Sequence, residues 1–145
     1  MRNNLYLLLL GGLLLVTPLA AEKKVIVPPE FAGGANFSPG ILVDGTLYVS
    51  GQIGQDLKTR QVPADFETEV KTLLNNIGIV LKAGGMTFKD VVSVQVYLTD
   101  IDLFARMNAV YTTFFPDPRP TRTTVGVSKL AAAAAHIEIT VTARK

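Results

Sequence analysis

The sequence predicts a single domain in which one β-sheet packs against one layer of two helices, an α+β or α/β arrangement. Three observations predict it. Short β-prone runs are interleaved with two longer stretches whose apolar residues recur at three- and four-residue steps. Gly and Pro punctuate the boundaries between these segments. No linker is long or polar enough to divide the 145 residues, and single domains commonly run to about 100–150 residues.

The first element is a leader. Met1-Arg2-Asn3-Asn4 precedes an apolar run over 5–16, then Thr17-Pro18-Leu19-Ala20-Ala21 and the charged Glu22-Lys23-Lys24. A positive end, an apolar stretch, a helix-breaking proline and small residues are the layout of a secretory signal peptide. Residues 1–21 are therefore expected to be the leader, and 22–145 the folded domain of a periplasmic or secreted protein. The run is shorter than the ~20 residues that span a bilayer. A cleaved leader and an uncleaved anchor are the two readings, and only the anchor gives stable membrane association.

Ile41-Leu42-Val43 and Leu47-Tyr48-Val49 flank Asp44-Gly45, which suits the positive φ angles of a tight hairpin. After Pro63, the spacing of Phe66, Val70, Leu73, Leu74, Ile77 and Leu81 predicts an amphipathic helix that stops at Gly84-Gly85. Val92, Val94, Val96 and Leu98 alternate with polar residues, predicting a strand with these four on its core face. Asp100 or Asp102 can cap a second helix, with Leu103, Met107, Val110, Tyr111 and Phe114 on one side and Pro116 and Pro118 at its end. Two strands close the domain, over 121–127 and 136–143, and the alanine tract over 131–135 is expected to form a loop or a short turn of helix.

Composition excludes several chemistries. Apolar residues at 48% against 18% charged argue for a packed globule rather than a disordered chain. With no cysteine, there is neither a disulfide, a thiol nucleophile nor a thiolate metal site. Without Arg2 the mature chain carries 13 basic and 12 acidic residues, a net charge of +1 with no clustered basic stretch, which gives no support for nucleic-acid binding. Nor is there a histidine pair, a carboxylate cluster at metal spacing or a phosphate-cradling glycine loop, so no metal or nucleotide cofactor is expected.

Arg122 is the most informative residue, because it begins a strand just after Arg119-Pro120. Strand alternation sets Arg122, Thr124 and Gly126 on one face. A guanidinium matches a carboxylate in two parallel hydrogen bonds, which suits capture of a small organic acid; the alternative is a solvated or structural arginine. Glu138 is the second candidate. Within His136-Ile137-Glu138-Ile139-Thr140-Val141 the aliphatic residues take the core face, leaving Glu138 with His136 and Thr140 on the other. Such a carboxylate can orient or deprotonate a water molecule as a general base, or pair with a cation across the sheet. His136, the only histidine, can shuttle a proton or be an exposed strand-end residue.

Four segments, in order and at matching intervals, resemble the signature blocks of the RidA (YjgF) family: Tyr48-Val49-Ser50-Gly51-Gln52-Ile53, Phe104-Ala105-Arg106-Met107-Asn108-Ala109-Val110-Tyr111, Arg119-Pro120-Thr121-Arg122-Thr123-Thr124-Val125 and Ile137-Glu138-Ile139. The resemblance covers about 31–143. It implies an α+β domain of a single mixed sheet on two helices, chorismate-mutase-like, assembled as a homotrimer with a pocket at each subunit junction and no cofactor. It also implies hydrolysis of reactive 2-imino acids and enamines, such as 2-iminopropanoate and 2-iminobutanoate, to 2-oxo acids and ammonia. On this resemblance Arg122 binds the substrate carboxylate and Glu138 positions the attacking water, while Ser50, Gly51, Asn108 and Thr124 shape the pocket.

The chain departs from the family pattern in places. Phe37 stands where many relatives carry a tyrosine, Thr124 where several have cysteine, Gly126 where glutamate is frequent, and Thr140 where a second glutamate is common. Substrate preference is expected to shift accordingly, and export separates the chain from the cytoplasmic pyridoxal-phosphate enzymes that generate enamines. A non-catalytic module of the same fold, binding a small carboxylic acid, is the alternative function. A purely structural role is a further one. The near-neutral charge argues against the nuclease activity attached to some relatives.

Overall fold

The computed structural model describes residues 21–32 and 36–145; the expected leader, apart from Ala21, lies outside the described residues. Six strands form one mixed sheet: β1 (Lys24–Ile26), β2 (Gly40–Val43), β3 (Thr46–Ile53), β4 (Val91–Leu98), β5 (Thr121–Gly126) and β6 (Ile137–Arg144), in the order β1-β2-β3-β6-β4-β5. Helices α1 (Phe66–Ala83) and α2 (Phe104–Phe114) supply the layer on one face. Only β4 and β5 run parallel, and α2 is the crossover that such a pair requires. Among the described residues no helix is long and apolar enough to cross a membrane.

Local chemistry accounts for the elements. Asp44 (φ 47°) and Gly45 (φ 70°) make the tight turn between β2 and β3 with the two positive φ angles that the dipeptide suggested. Asp65 caps α1 by accepting from the Thr68 N–H at 2.9 Å. Every apolar residue expected on the inner side of α1 is buried, and Gly84 follows its last turn. Asp100 accepts from the Asp102 N–H and starts the short turn Ile101–Leu103 that leads into α2. On α2, Met107 and Tyr111 are buried and Leu103, Val110 and Phe114 pack partly against the core. Phe88 stands edge-on to Phe114 and Phe115, at 5.5 and 5.0 Å between ring centroids, and closes that end of the core. The alanine tract forms a turn, with the Ala135 N–H donating to the Ala132 carbonyl.

Three details differ from expectation. The short edge strand β1 has only three residues, too few to show a period in the sequence. Val92 is not on the core face: the pairing of β4 with β6 is irregular between Val91 and Ser93, so Val91 turns inward and Val92 is 48% exposed. His136 does not share the face of Glu138. It precedes β6 and turns to α1, where the fully buried carboxylate of Glu69 accepts from its backbone N–H at 2.7 Å and lies 2.8 Å from its ring Nδ1.

The core is the inner face of β3, β4 and β6 against α1 and α2, and each buried aliphatic side chain there contributes about 1.5–3 kcal/mol. Neither helix covers the opposite face, which carries Tyr48, Gln95, Tyr97, Glu138, Thr140 and Thr142. Glu69 ties α1 to the start of β6. Replacing it by alanine leaves the His136 N–H without its acceptor, so Glu69→Ala is expected to lower stability by about 1–3 kcal/mol in urea titration, and Glu69→Gln, which keeps an acceptor, by less. An unchanged midpoint for the alanine variant would show that the contact holds nothing.

Candidate functional site

The first part of the site lies where β2 leaves β3. The two strands pair only as far as Gly40 opposite Val49, so beyond Val49 one side of β3 is open while β6 continues on the other. The β3 to β6 register also shifts between Val49 and Gln52, setting Ser50 and Gly51 against a single partner residue. Ser50 braces this bulge: its N–H and its Oγ both donate to the Pro39 carbonyl, at 3.0 and 3.2 Å. A cleft of about 260 Å³ follows, with Phe31, Phe37, Pro39 and Leu57 as apolar lining and Gly51, Gln55 and Arg60 among the rest. The Asn76 amide on α1 donates to the carbonyls of Ile53 and Gln55, at 3.2 and 2.9 Å, and so fixes the chain beside this cleft.

Glu138 adjoins the cleft through Gly51. It pairs in register with Ile53 on β3 and Tyr97 on β4, on the face that neither helix covers. Its Oε1 occupies the space a Cβ at residue 51 would need, so only glycine there leaves room for the carboxylate. Among the described residues the Glu138 carboxylate has no ion-pair or hydrogen-bond partner, so the cross-strand pairing considered for it is not formed.

The second part of the site lies on the other face. Arg122 and Thr124 stand opposite Val94 and Val96 on the parallel strand β4, whose side chains point to the helices. The Arg122 guanidinium carbon sits 4.5 Å from the centroid of Tyr111 and 5.5 Å from that of Phe104, held over both rings by cation–π attraction. A shallow depression of about 320 Å³ brings Arg122 together with Asn108, Tyr111 and Arg119. Beside it, the buried Tyr111 Oη and Thr124 Oγ1 have no hydrogen-bond partner among the described residues. Burial pushes the Tyr111 phenol above its ordinary range, with the neighbouring Arg122 charge acting the other way. A guanidinium fixed in this way presents paired donors of the kind that match a carboxylate.

The sequence candidates thus fall into two groups. Arg122 and Asn108 line the depression on the helix face, with Thr124 two residues along β5, and Gly51 and Phe37 line the cleft, with the Glu138 carboxylate against Gly51; Ser50 supports the bulge rather than facing the space. One chain does not bring Arg122 and Glu138 together, because β5 and β6 present them on opposite sides of the sheet. Tyr111 was legible only as a core residue, and its ring beneath Arg122 depends on how α2 crosses β5. Arg60 and Gln55 left no motif in the sequence. No group of three or more metal-binding side chains occurs among the described residues.

A family profile described as Endoribonuclease L-PSP matches residues 29–145. A 2-iminobutanoate/2-iminopropanoate deaminase of Rattus norvegicus is 43% identical over 95 residues, 65% of this chain and 69% of that one. A RutC family protein of Saccharolobus solfataricus is 44% identical over 110 residues, 75% of this chain and 86% of its own. Among solved structures, the YjgF gene product of E. coli superposes with a TM-score of 0.76 at 30% identity, covering 84% of this chain and 98% of that one. E. coli TdcF, solved with bound serine, gives the same four values.

Because its folded-state value is raised above the ordinary phenol value of 10.0, Tyr111 contributes stability that is present below about pH 10 and is lost as pH rises through its own titration. Tyr111→Phe removes both the unpaired hydroxyl and this alkaline dependence. It is expected to change stability by no more than about 1 kcal/mol at neutral pH and to flatten the loss above pH 10 in thermal melts. A neutral-pH loss well beyond that would mean that the phenol is bonded after all.

Proposed function

Since the chain belongs to the Endoribonuclease L-PSP family, the RidA/YjgF group, we propose that it hydrolyses 2-imino acids to 2-oxo acids and ammonia, with one active site built from two copies of the chain. The observation that carries this reading is the separation of the two groups. Arg122 is suited to a carboxylate, and Glu138 above Gly51 is suited to a water molecule, but they lie on opposite faces of one sheet. A second copy whose uncovered face meets the β5 edge of the first can bring its Glu138 to the Arg122 of the first. A homotrimer satisfies every site by the same contact, and closed rotational symmetry is the usual form of such assemblies. The serine held by TdcF supports a small amino-acid-like ligand for this fold.

The chemistry needs no group that these residues lack. Arg122 holds the carboxylate in a two-pronged hydrogen bond and aligns the C=N carbon. Glu138 accepts a proton from water as its oxygen bonds to that carbon, and the C=N electron pair moves to nitrogen, which is protonated. The carbinolamine then collapses: its hydroxyl proton passes through the Glu138 carboxylate to the amine nitrogen, the C–N bond breaks, ammonia leaves, and the oxygen becomes the carbonyl of the 2-oxo acid. Positioning a nucleophile and a general base contributes typically 10²- to 10⁴-fold, and this is the expected size of the loss in Glu138→Gln. The expected leader would place this activity outside the cytoplasm.

The decisive experiment measures ammonia release from freshly generated 2-iminobutanoate by the leaderless protein, by Arg122→Ala, by Glu138→Gln, and by the two variants unfolded and refolded together. Each variant alone is expected to be inactive, and the refolded mixture to regain activity, because some junctions then pair an intact Arg122 with an intact Glu138. A mixture as inactive as its parts would sink the shared site. A wild-type protein that binds 2-oxobutanoate but releases no ammonia would favour the non-catalytic binding module.

A further inference from the structure

We propose that the cleft beside Gly51 selects substrates whose side chain ends in a second anionic group, with Arg60 as the specificity-determining cation, so that the preferred class is the 2-imino dicarboxylic acids. The inference rests on the deaminase reading for the reaction, but the recognition element is a separate feature of the chain.

Arg60 lines the same cleft as Gly51, against which the Glu138 carboxylate lies. A substrate with its imine carbon near Glu138 can direct its side chain into that cleft, where Phe31, Phe37, Pro39 and Leu57 offer apolar contact to methylene groups. An acid with only a short alkyl group would use the apolar lining and leave the guanidinium idle. One with a terminal carboxylate can use both, since Arg60 presents a planar pair of donors to it. Among the described residues Arg60 has no ion-pair partner. The nearest acid in its own loop, Asp56, is engaged otherwise: its Oδ1 accepts from the Lys58 and Thr59 N–H groups at 2.9 and 2.7 Å.

The backbone beneath Arg60 is held in place. Its φ is 62°, and Asp44 in the hairpin turn is the other described non-glycine residue with a positive value. The Arg60 N–H donates to the Asp56 carbonyl at 2.9 Å, and its carbonyl accepts from Gln55 Nε2 at 2.9 Å. The Gln55 carbonyl in turn accepts from Asn76 on α1. A left-handed residue fixed on both sides aims its side chain from a defined point, and glycine fits the same φ without strain.

Arg60→Gly therefore removes the guanidinium from a loop whose shape glycine favours. The readout is the ratio of kcat/KM for two imines formed in situ by flavin oxidases, 2-iminoglutarate from glutamate and 2-iminobutanoate from 2-aminobutanoate. Loss of one charged two-pronged bond is expected to lower that ratio by about 10- to 100-fold in Arg60→Gly, and Arg60→Lys is expected to retain part of it. A ratio unchanged in Arg60→Gly overturns the proposal, whereas damage to the fold would lower both rates together. Calorimetric binding of 2-oxoglutarate and 2-oxobutanoate reads the cleft without turnover. If no imine is hydrolysed, the deaminase reading fails; Arg60-dependent preference for 2-oxoglutarate then still upholds the cleft's selectivity, and equal binding of the two acids overturns it.

Discussion

The pairing of β6 with β3 on one side and β4 on the other joins the hairpin half of the sheet to the crossover half, and most of the molecule follows from it. Alternation along this central strand puts Ile137, Ile139, Val141 and Ala143 under the helices and Glu138, Thr140 and Thr142 on the uncovered face. The same parity, carried across β4 to the parallel edge strand, turns Arg122 to the helix side. A strand residue has only two directions to point. With the core claiming one of them at β6, a carboxylate in mid-strand belongs to the surface that a second copy can reach. The bulge at Ser50 and Gly51 clears the space in which that carboxylate rests.

Much of this is legible in the amino-acid sequence. The Asp44-Gly45 turn, the face of α1 and the inward residues of β6 depend on local periods and on turn chemistry, which a single sequence carries in full. The errors occur where that information stops. Val92 matched a regular alternation until an irregularity in pairing moved Val91 into its place, and pairing belongs to two strands rather than one. His136 falls on the face of Glu138 only if the strand is extended one residue too far. Its partner, Glu69, lies 67 residues away and gives no sign of burial in a helix otherwise rich in exposed charge.

The candidate site shows the same division. Arg122 and Glu138 could be chosen by residue type and setting, because an arginine behind a rigid lead-in and a carboxylate among alternating aliphatics are visible locally. Their placement on opposite faces could not be, since it requires the strand order and the parallel sense of β5. Arg60 was invisible for another reason. Nothing in Lys58-Thr59-Arg60-Gln61 distinguishes a solvated basic residue from one held at a positive φ beside an aromatic-walled cleft.

β6 is also the last of the six strands to be synthesised. Until it has left the ribosome, β3 lacks one neighbour and β4 lacks its antiparallel one, so the two halves of the sheet cannot join. Completion of the sheet is therefore postponed to the end of synthesis.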